Sequence, residues 1–353
     1  MDKTKAIKSI LRNWREIPTG QAFELDRFRP EDAAGVAQLF YTIYGEKYPV
    51  VDYYVPEEIV RLNREGKLFT VVGRLPSGEI AGQGAYFQSS PPNKALFEFG
   101  LMLVAPEYRN STLAFKLAMG MDRFSRTMSQ AQGFFGEAVC THLLTQKLCS
   151  RHEYFECGLE VALMPAGAYE KEGAGAQRVS CLLGARVDRD RRAALYLPEC
   201  YKQEIACILE GVTLDRDIRP SSESVSQSAK TVFESEVFDF AQVVRCQVSS
   251  AGADFPDRMD ELDARARRDG LAVVQTFVNL GDPGAAFAVE TLRGRGFFFG
   301  GFLPIWFGSD GLFMQKLYVE PEFENINLFD EKSKRLLALI RKDYDRAVGQ
   351  RAG

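Results

Sequence analysis

Histidine is scarce in this 353-residue chain: His142 and His152 are the only two, and neither sits among clustered carboxylates, so the usual donor set of a metal centre is missing. The seven cysteines (140, 149, 157, 181, 200, 207 and 246) are odd in number and include no C-x-x-C pair. That spacing excludes a disulfide framework and a zinc site, and points to reduced thiols in a cytoplasm. No apolar run is long enough to span a bilayer; the most apolar segment, Phe297 to Phe307, is interrupted by Gly300, Gly301 and Pro304. The first residues, Met1 to Ile17, mix Lys and Arg with Ile7, Ile10, Leu11 and Trp14, a short amphipathic helix rather than the unbroken apolar core of a secretory signal. A Gly-x-Ser-x-Gly elbow is absent, which removes the usual signature of an α/β hydrolase. The formal charge of −4 lacks the basic surplus on which a nonspecific grip on nucleic acid depends.

What is present is ordinary globular composition, 46% hydrophobic and 26% charged, in a chain longer than single cores usually grow. Two domains are expected, residues 1–217 and 218–353, joined by the polar stretch Arg219 to Ser228. Alternation over Phe23 to Arg29 predicts a strand, and Pro30-Glu31-Asp32 opens a helix to Tyr44. A helix over Glu57 to Glu65 follows, then strands Leu68 to Arg74 and Glu79 to Gln88 about the turn Pro76-Ser77-Gly78. Strand Leu96 to Val104 leads into a helix whose apolar stripe is Leu113, Leu117, Met121, Phe124 and Met128. Strand Phe134 to Cys140, a helix from about His142 to Arg151, and closing strands at Phe155 to Met164 and Arg192 to Leu197 complete the first half, with a Gly- and Ala-rich excursion at Gly167 to Ala176.

The most informative stretch lies between that strand and the helix at Leu113. Main-chain N–H groups at a helix start have no partner inside the helix, and the dipole adds partial positive charge, so a diphosphate suits the place. The wording of the turn resembles the acyl-CoA loop of the GNAT superfamily of N-acetyltransferases: a Val-x-Pro lead-in, Arg or Gln, two variable residues, Gly, one residue, then Gly or Ala. Val104, Pro106, Arg109 and Ala114 match, and Thr112 stands where the family has glycine. A hydroxyl there can cap a helix start but leaves the backbone less room to approach a phosphate. The resemblance implies an α/β (α+β) fold of two GNAT-like domains, each a mixed, mostly antiparallel sheet flanked by helices. It further implies acetyl-CoA held by Met102, Val104, Arg109, Asn110, Ser111, Thr112, Leu113 and Ala114, and an acetyl group passed to the amine of a small molecule or peptide.

Such an amine must lose a proton before it can attack. Glu98, eleven residues before Arg109, stands at the offset of the general base in the histone-acetylating branch of the family, and burial between Phe97 and Phe99 would suit a base working near neutrality. The residues alone leave a second reading open, an outward-facing edge carboxylate or ion-pair partner. Glu137 is a rival base, with the outward reading open for it too. The tyrosine that many relatives place four residues before a Gly-Phe pair has no counterpart, since Ser150 precedes Tyr154-Phe155 by that distance. Cys140 beside His142 raises a Cys–His nucleophile pair as a minor alternative, and His152 reads as a surface or capping residue.

Beyond residue 230 the pattern resumes with strands Thr231 to Phe238 and Ala241 to Ser249, a helix Asp254 to Asp269, strand Leu271 to Leu280, helix Pro283 to Arg295, strands Phe297 to Leu303 and Leu312 to Val319, and a last helix from about Leu328 to Val348. This order repeats the later part of the first half, a degenerate duplication. The turn after its second strand lacks the Arg-x-x-Gly-x-Ala pattern and carries Asp254, whose charge opposes a diphosphate. Gly294 and Gly296 read as a helix C-cap, Gly300 and Gly301 as a close strand crossing, and Trp306 as core or as cleft lining. The two functional expectations are an acetyl-CoA-dependent N-acyltransferase and a non-catalytic acyl-CoA-binding or regulatory module of the same fold.

Overall fold

A computed structural model of the chain describes residues 2–165, 178–222 and 224–349; the excursion expected at Gly167 to Ala176 lies outside them. The chain divides into two compact units, one formed by Met1–Ser89 with Phe97–Ala131 and the other by Ser90–Leu96 with Gln132–Gly353. That seam falls inside the first of the two segments expected from sequence. Both units are mixed α/β, with mostly antiparallel strands flanked by helices. Among the described residues, no helix is long and apolar enough to cross a membrane.

The first unit contains α1 (Lys3–Arg12), β1 (Glu24–Arg27), α2 (Ala33–Tyr44), α3 (Pro56–Arg64), β2 (Leu68–Arg74), β3 (Ile80–Phe87), β4 (Leu96–Val104) and α4 (Leu113–Ser125). Strands β1 to β4 lie in sequence order, each antiparallel to the next. The β2–β3 turn closes as Pro76-Ser77-Gly78 requires, with Gly78 at φ +98° and its N–H bonded to the Leu75 carbonyl. The entry to α2 is fixed electrostatically. Arg74 donates from Nε and Nη2 to the two oxygens of Asp32 at 2.8 and 2.7 Å, and Asp32 also accepts the Arg29 N–H at 2.7 Å.

Helix α4 lies unusually close to the sheet because three glycines make room for it. A Cβ on Gly73 would stand 2.7 Å from Leu113 Cδ1, one on Gly82 would meet Leu113 Cδ2 and Leu117 Cδ1 at 3.0 Å, and one on Gly84 would meet Met121 Sδ at 2.2 Å. Leu113, Leu117 and Met121 are the fully buried part of the stripe read from the sequence.

The second unit contains β5 (Gly133–Val139), α5 (Leu144–Arg151), β6 (Phe155–Met164), β7 (Val179–Val187), β8 (Ala193–Leu197), α6 (Lys202–Ile208), β9 (Arg216–Pro220), β10 (Val232–Phe238), β11 (Val243–Ser250), α7 (Phe255–Arg268), β12 (Val273–Asn279), α8 (Ala285–Arg293), β13 (Phe298–Leu303), β14 (Gly311–Leu317) and α9 (Glu331–Gly349). Its strands run in the order β5-β7-β6-β13-β14-β12-β11-β10, while β8 and β9 form a separate parallel pair. Strands β11 and β12 run parallel, joined by the α7 crossover. Gly300 and Gly301 are the close crossing expected: a Cβ on Gly301 would stand 2.4 Å from the Cys157 carbonyl, where β13 meets β6. Gly294 caps α8. Trp306 is core, stacked on Phe277 at 4.8 Å with its indole N–H on Gln247.

Two expectations are corrected. The closing strand against β5 and β6 is Val179–Val187, not Arg192 to Leu197, which pairs instead with β9. Arg219 and Pro220, taken as the start of an open linker, end that β9 strand. The chain is then pinned by the Ser222 N–H to the Pro283 carbonyl at 2.8 Å and by Ser221 Oγ accepting the Ala286 N–H at 2.7 Å.

Filling the glycine floor under α4 tests this packing. Gly82→Val should destabilise the protein by about 1–3 kcal/mol, read from the urea midpoint, because the Leu103 carbonyl leaves no space on the opposite side. A midpoint equal to the parent's would show that α4 does not depend on that floor.

Candidate functional site

The turn between β4 and α4 is built by its own main chain. Pro106–Tyr108 forms a single 3-10 turn, and Ser111 then bridges it: its N–H and its hydroxyl both donate to the Tyr108 carbonyl, at 3.0 and 2.6 Å. The same hydroxyl accepts the Leu113 N–H at 3.1 Å. Ser111 is thus the cap of α4, a part that sequence reasoning gave to Thr112; Thr112 occupies the N-cap position with φ −79° and no side-chain cap. At that φ no glycine is required, so threonine is tolerated without backbone strain.

Some of the amides around residues 109–114 are spent within the turn itself. Arg109 N–H makes a long 3.4 Å bond to the Pro106 carbonyl, and the Ser111 and Leu113 amides are spent as described. Among the described residues, the N–H groups of Asn110, Thr112, Ala114 and Phe115 have no acceptor. The side chains of Arg109, Asn110, Ser111 and Thr112 are exposed, Ala114 is half-buried, and Leu113 is wholly core. The turn therefore presents an exposed guanidinium and four unfilled main-chain donors at the positive end of a 13-residue helix. Its chemistry fits a phosphate group.

On β4, Glu98 pairs in register with Phe87 and is half-buried, and Met102 and Val104 are half-buried as well. Between Gly100 and Leu103 the ladder is interrupted: Gly100 pairs Ala85 and Leu103 pairs Gln83, so two residues of β4 oppose one of β3. Leu101 takes φ +53°, and its carbonyl, turned out of the ladder, accepts Gln83 Nε2 at 3.0 Å. No residue in the stretch announces this bulge, since leucine is a poor occupant of positive φ; a local strain of this kind persists only where the surroundings enforce it.

Glu137, the rival base, belongs to a different arrangement. Arg245 Nη2 donates to Glu137 at 3.0 Å and to Glu160 at 2.9 Å, its Nε donates to Gln275 at 2.7 Å and its Nη1 to Ser90 at 3.0 Å. Gln275 Nε2 donates to the same Glu160 oxygen at 2.8 Å. Glu137 is thereby an ion-pair partner. Arg245 lies on β11 and Glu137 on β5, six strand spacings apart along the hydrogen-bonded order, or about 29 Å in a flat sheet. Their contact shows that this sheet is strongly coiled. Glu160 is 1% exposed and its second oxygen has no partner. Burial above all, then the Glu137 charge, pushes its carboxyl up to about 8, against the pull of Arg245.

The Cys–His alternative fails. The Cys140 thiol is buried and pushed up to about 12 by desolvation, so the thiolate that a nucleophile needs does not form near neutrality. His142 Nδ1 is buried without a partner, and His152 closes α5 as its C-cap. Among the described residues, no group of three or more His, Cys, Asp or Glu side chains could hold a metal ion. In the later half, two features work against an anion after β11. Asp254 places its carboxylate at the start of α7, where it accepts the Thr231 N–H at 2.8 Å, and β11 and β12 are zipped together from Val243–Val273 to Val248–Val278 with no gap.

No protein-family profile matches the chain, and no curated protein sequence does. Solved structures similar to it include a GNAT-family acetyltransferase from Streptococcus pneumoniae, at 16% identity and TM-score 0.38, covering 47% of this chain and 99% of that one. The ribosomal-protein-S5-alanine acetyltransferase of Vibrio fischeri is similar at 11% identity and TM-score 0.38, covering 50% and 97%. A spermidine/spermine N-acetyltransferase of Vibrio cholerae is similar at 13% identity and TM-score 0.37, covering 47% and 92%. About half of the chain is spanned in each case.

The Glu160 carboxyl gives stability a pH dependence of defined sign. The folded protein holds this proton between an ordinary value of 4.5 and about 8, where the unfolded chain has released it, so rising pH is destabilising by up to about 1.4 kcal/mol per unit. Urea midpoints of the parent and of Glu160→Gln, measured at pH 5, 6 and 7, should diverge, the parent losing stability faster as pH rises. Parallel curves would rule out a retained proton.

Proposed function

We propose that this protein is a GNAT-type N-acyltransferase that moves an acetyl group from acetyl-CoA to an amine, with the donor's diphosphate at the β4–α4 turn. The observation that supports the reading best is the set of unfilled N–H groups at Asn110, Thr112, Ala114 and Phe115 beside the exposed Arg109. Together they supply hydrogen bonds and positive charge for a dianionic tail. Met102 and Val104 line the strand that leads into the turn. Leu113 anchors the turn rather than touching the donor, its side chain filling the core and its N–H bonded to Ser111 Oγ. On this reading residues 1–217 and 218–353 are two copies of one fold, the second unsuited to the donor because of Asp254 and the zipped β11–β12 pair.

Glu98 takes the proton of the ammonium, R–NH3+ becoming R–NH2 as the carboxylate becomes a carboxylic acid. The amine lone pair then attacks the thioester carbon, a C–N bond forms, and collapse breaks the C–S bond. The departing sulfur takes a proton and leaves as free CoA thiol, and the product is an amide. The half-buried setting of Glu98 on β4 supports the assignment, and the general acid is left to water, because no tyrosine stands at the family's position. With all seven cysteines free and no membrane-crossing helix among the described residues, the reading is completed by a cytoplasmic setting and by acceptors drawn from small amines or peptides.

The alternative, an acyl-CoA-binding module without turnover, is favoured by that absent tyrosine. Isothermal titration of acetyl-CoA separates the readings when combined with release of free thiol. Arg109→Glu should weaken acetyl-CoA binding at least about tenfold by placing negative charge before the helix start, and Glu98→Gln should lower kcat by about 10²–10⁴-fold while leaving donor binding intact. Binding without thiol release from any amine would select the module, and indifference of Arg109→Glu would remove the site.

A further inference from the structure

A groove runs between α4 and the edge strand β1, with a volume of about 360 Å³ and all of its walls in the first unit. Its floor is apolar: Leu25 of β1, Val71 of β2, and Met119 and Phe124 of α4. Gly120 keeps it open. A Cβ there would stand 3.3 Å from Leu25 Cδ1 and 3.7 Å from Val71 Cγ1, with no other atom of the sheet within 4 Å, so a larger residue would fill the groove. The apolar surface continues along the helix beyond it. Met119 is 45% exposed, and Phe115, one turn earlier, is 44% exposed.

Three cations rim this surface, and among the described residues none of them meets a carboxylate. Lys116 Nζ lies 5.0 Å from the centre of the Phe23 ring, and Arg123 is exposed. Arg27 spans the groove from β1 to the end of α4: its Nη2 donates to Thr127 Oγ1 at 3.0 Å, and its guanidinium lies 4.5 Å from the centre of the Phe124 ring. The acid in the lining, Asp26, is already shared between Arg29 and Arg74. Asp122, next to Arg123, pairs with Arg126 at 3.2 Å. The rim is therefore positive and calls for an acidic occupant.

Geometry narrows the form of that occupant. Phe28 N–H is bonded inward to the Thr70 carbonyl, so alternation turns the main-chain groups of Arg27 to the free edge of β1. Both are spent there, the N–H on Asp26 Oδ1 at 2.8 Å and the carbonyl on Arg74 Nη2 at 3.5 Å, which closes the edge to an added strand. A small molecule confined to the groove would leave Phe115 bare. Lys116 and Arg123 stand seven residues apart, about 10 Å along the helix axis. Two acidic residues at the same spacing on a second helix match them, and apolar residues between those acids fall on Met119.

We propose that this face of α4 docks an acidic amphipathic helix of a partner protein, its carboxylates on Lys116, Arg123 and Arg27 and its apolar residues on Met119, Phe115 and the groove floor. These side chains lie outside the donor turn, so docking stands or falls apart from acyl transfer.

The probe is a fluorescein-labelled peptide in which the heptad Glu-Gln-Ala-Leu-Leu-Ala-Gln is repeated to the length of α4, titrated with the full chain by fluorescence anisotropy. It should bind, and versions with Lys for Glu or Ser for Leu should bind at least about tenfold more weakly. Arg123→Glu and Met119→Ser should each weaken binding about tenfold, Gly120→Leu should remove it by filling the groove, and added NaCl should weaken it steadily. Acetyl-CoA affinity should stay at the parent's value in all three variants, and matching circular dichroism spectra exclude a folding defect. Met119→Ser, at an exposed position, keeps the test decisive if Gly120→Leu fails to fold. Absence of binding, equal binding of the Lys peptide, or affinity unmoved by Arg123→Glu and Met119→Ser would overturn the proposal. So would a dimer of the parent that Arg123→Glu dissociates, because a second copy would then occupy the face.

Discussion

The glycine floor formed by Gly73, Gly82 and Gly84 is the constraint from which the candidate site follows. Because these positions carry no side chains, Leu113, Leu117 and Met121 descend to the backbone of β2 and β3, and the first turn of α4 is anchored by a residue buried completely. A helix start anchored by its core side faces outward with its amides. The local hydrogen bonds then decide which amides remain: Ser111 consumes two donors and fixes the turn, and four others stay open. Packing sets the direction of the anion site and capping sets its size.

A different balance governs the second unit. Coiling of its sheet brings β5 and β6 against β11 and β12, and the charges that meet there are two carboxylates and one guanidinium. In a dry interior that count is uneven, and the cheapest correction is a proton on Glu160, whose second oxygen no donor reaches. The aromatic stack Phe135, Trp306, Phe277 and Phe313 belongs to the core of the same unit.

How far the sequence could be read depended on where the determining forces were local. Elements with a clear period or a turn signal were placed well: the Pro76-Ser77-Gly78 hairpin falls within a residue of its strands, and the α4 stripe holds from Leu113 to Phe124, with Met128 lying past the helix end at Ser125. Strand Val179–Val187 was missed because both of its faces are buried, so it shows no alternation, whereas Arg192 to Leu197 had the look of a strand but pairs in a separate sheet. At the site, the Val104, Pro106, Arg109 and Ala114 pattern located the turn, but the choice between Ser111 and Thr112 as cap turns on backbone angles that both residue types tolerate. The bulge at Leu101 is a tertiary outcome, held by Gln83 across the ladder, and leaves no mark in the local sequence.

The turns after β4 and after β11 show how little chemistry separates a helix start that can take an anion from one that cannot. Both follow a strand and both precede a helix of similar length, 13 and 14 residues. At the first, the capping group is the neutral hydroxyl of Ser111, which satisfies one amide and adds no charge, and Arg109 adds a positive one. At the second, Asp254 stands at the N-cap position with a carboxylate that accepts the Thr231 N–H rather than an amide of the helix, and its negative charge opposes an anion there. A carboxylate beside a helix start repels a ligand's negative charge, and a capping hydroxyl does not. The strands differ in the same sense: β11 and β12 are closed against each other, while β4 is bulged and the turn that follows it is exposed.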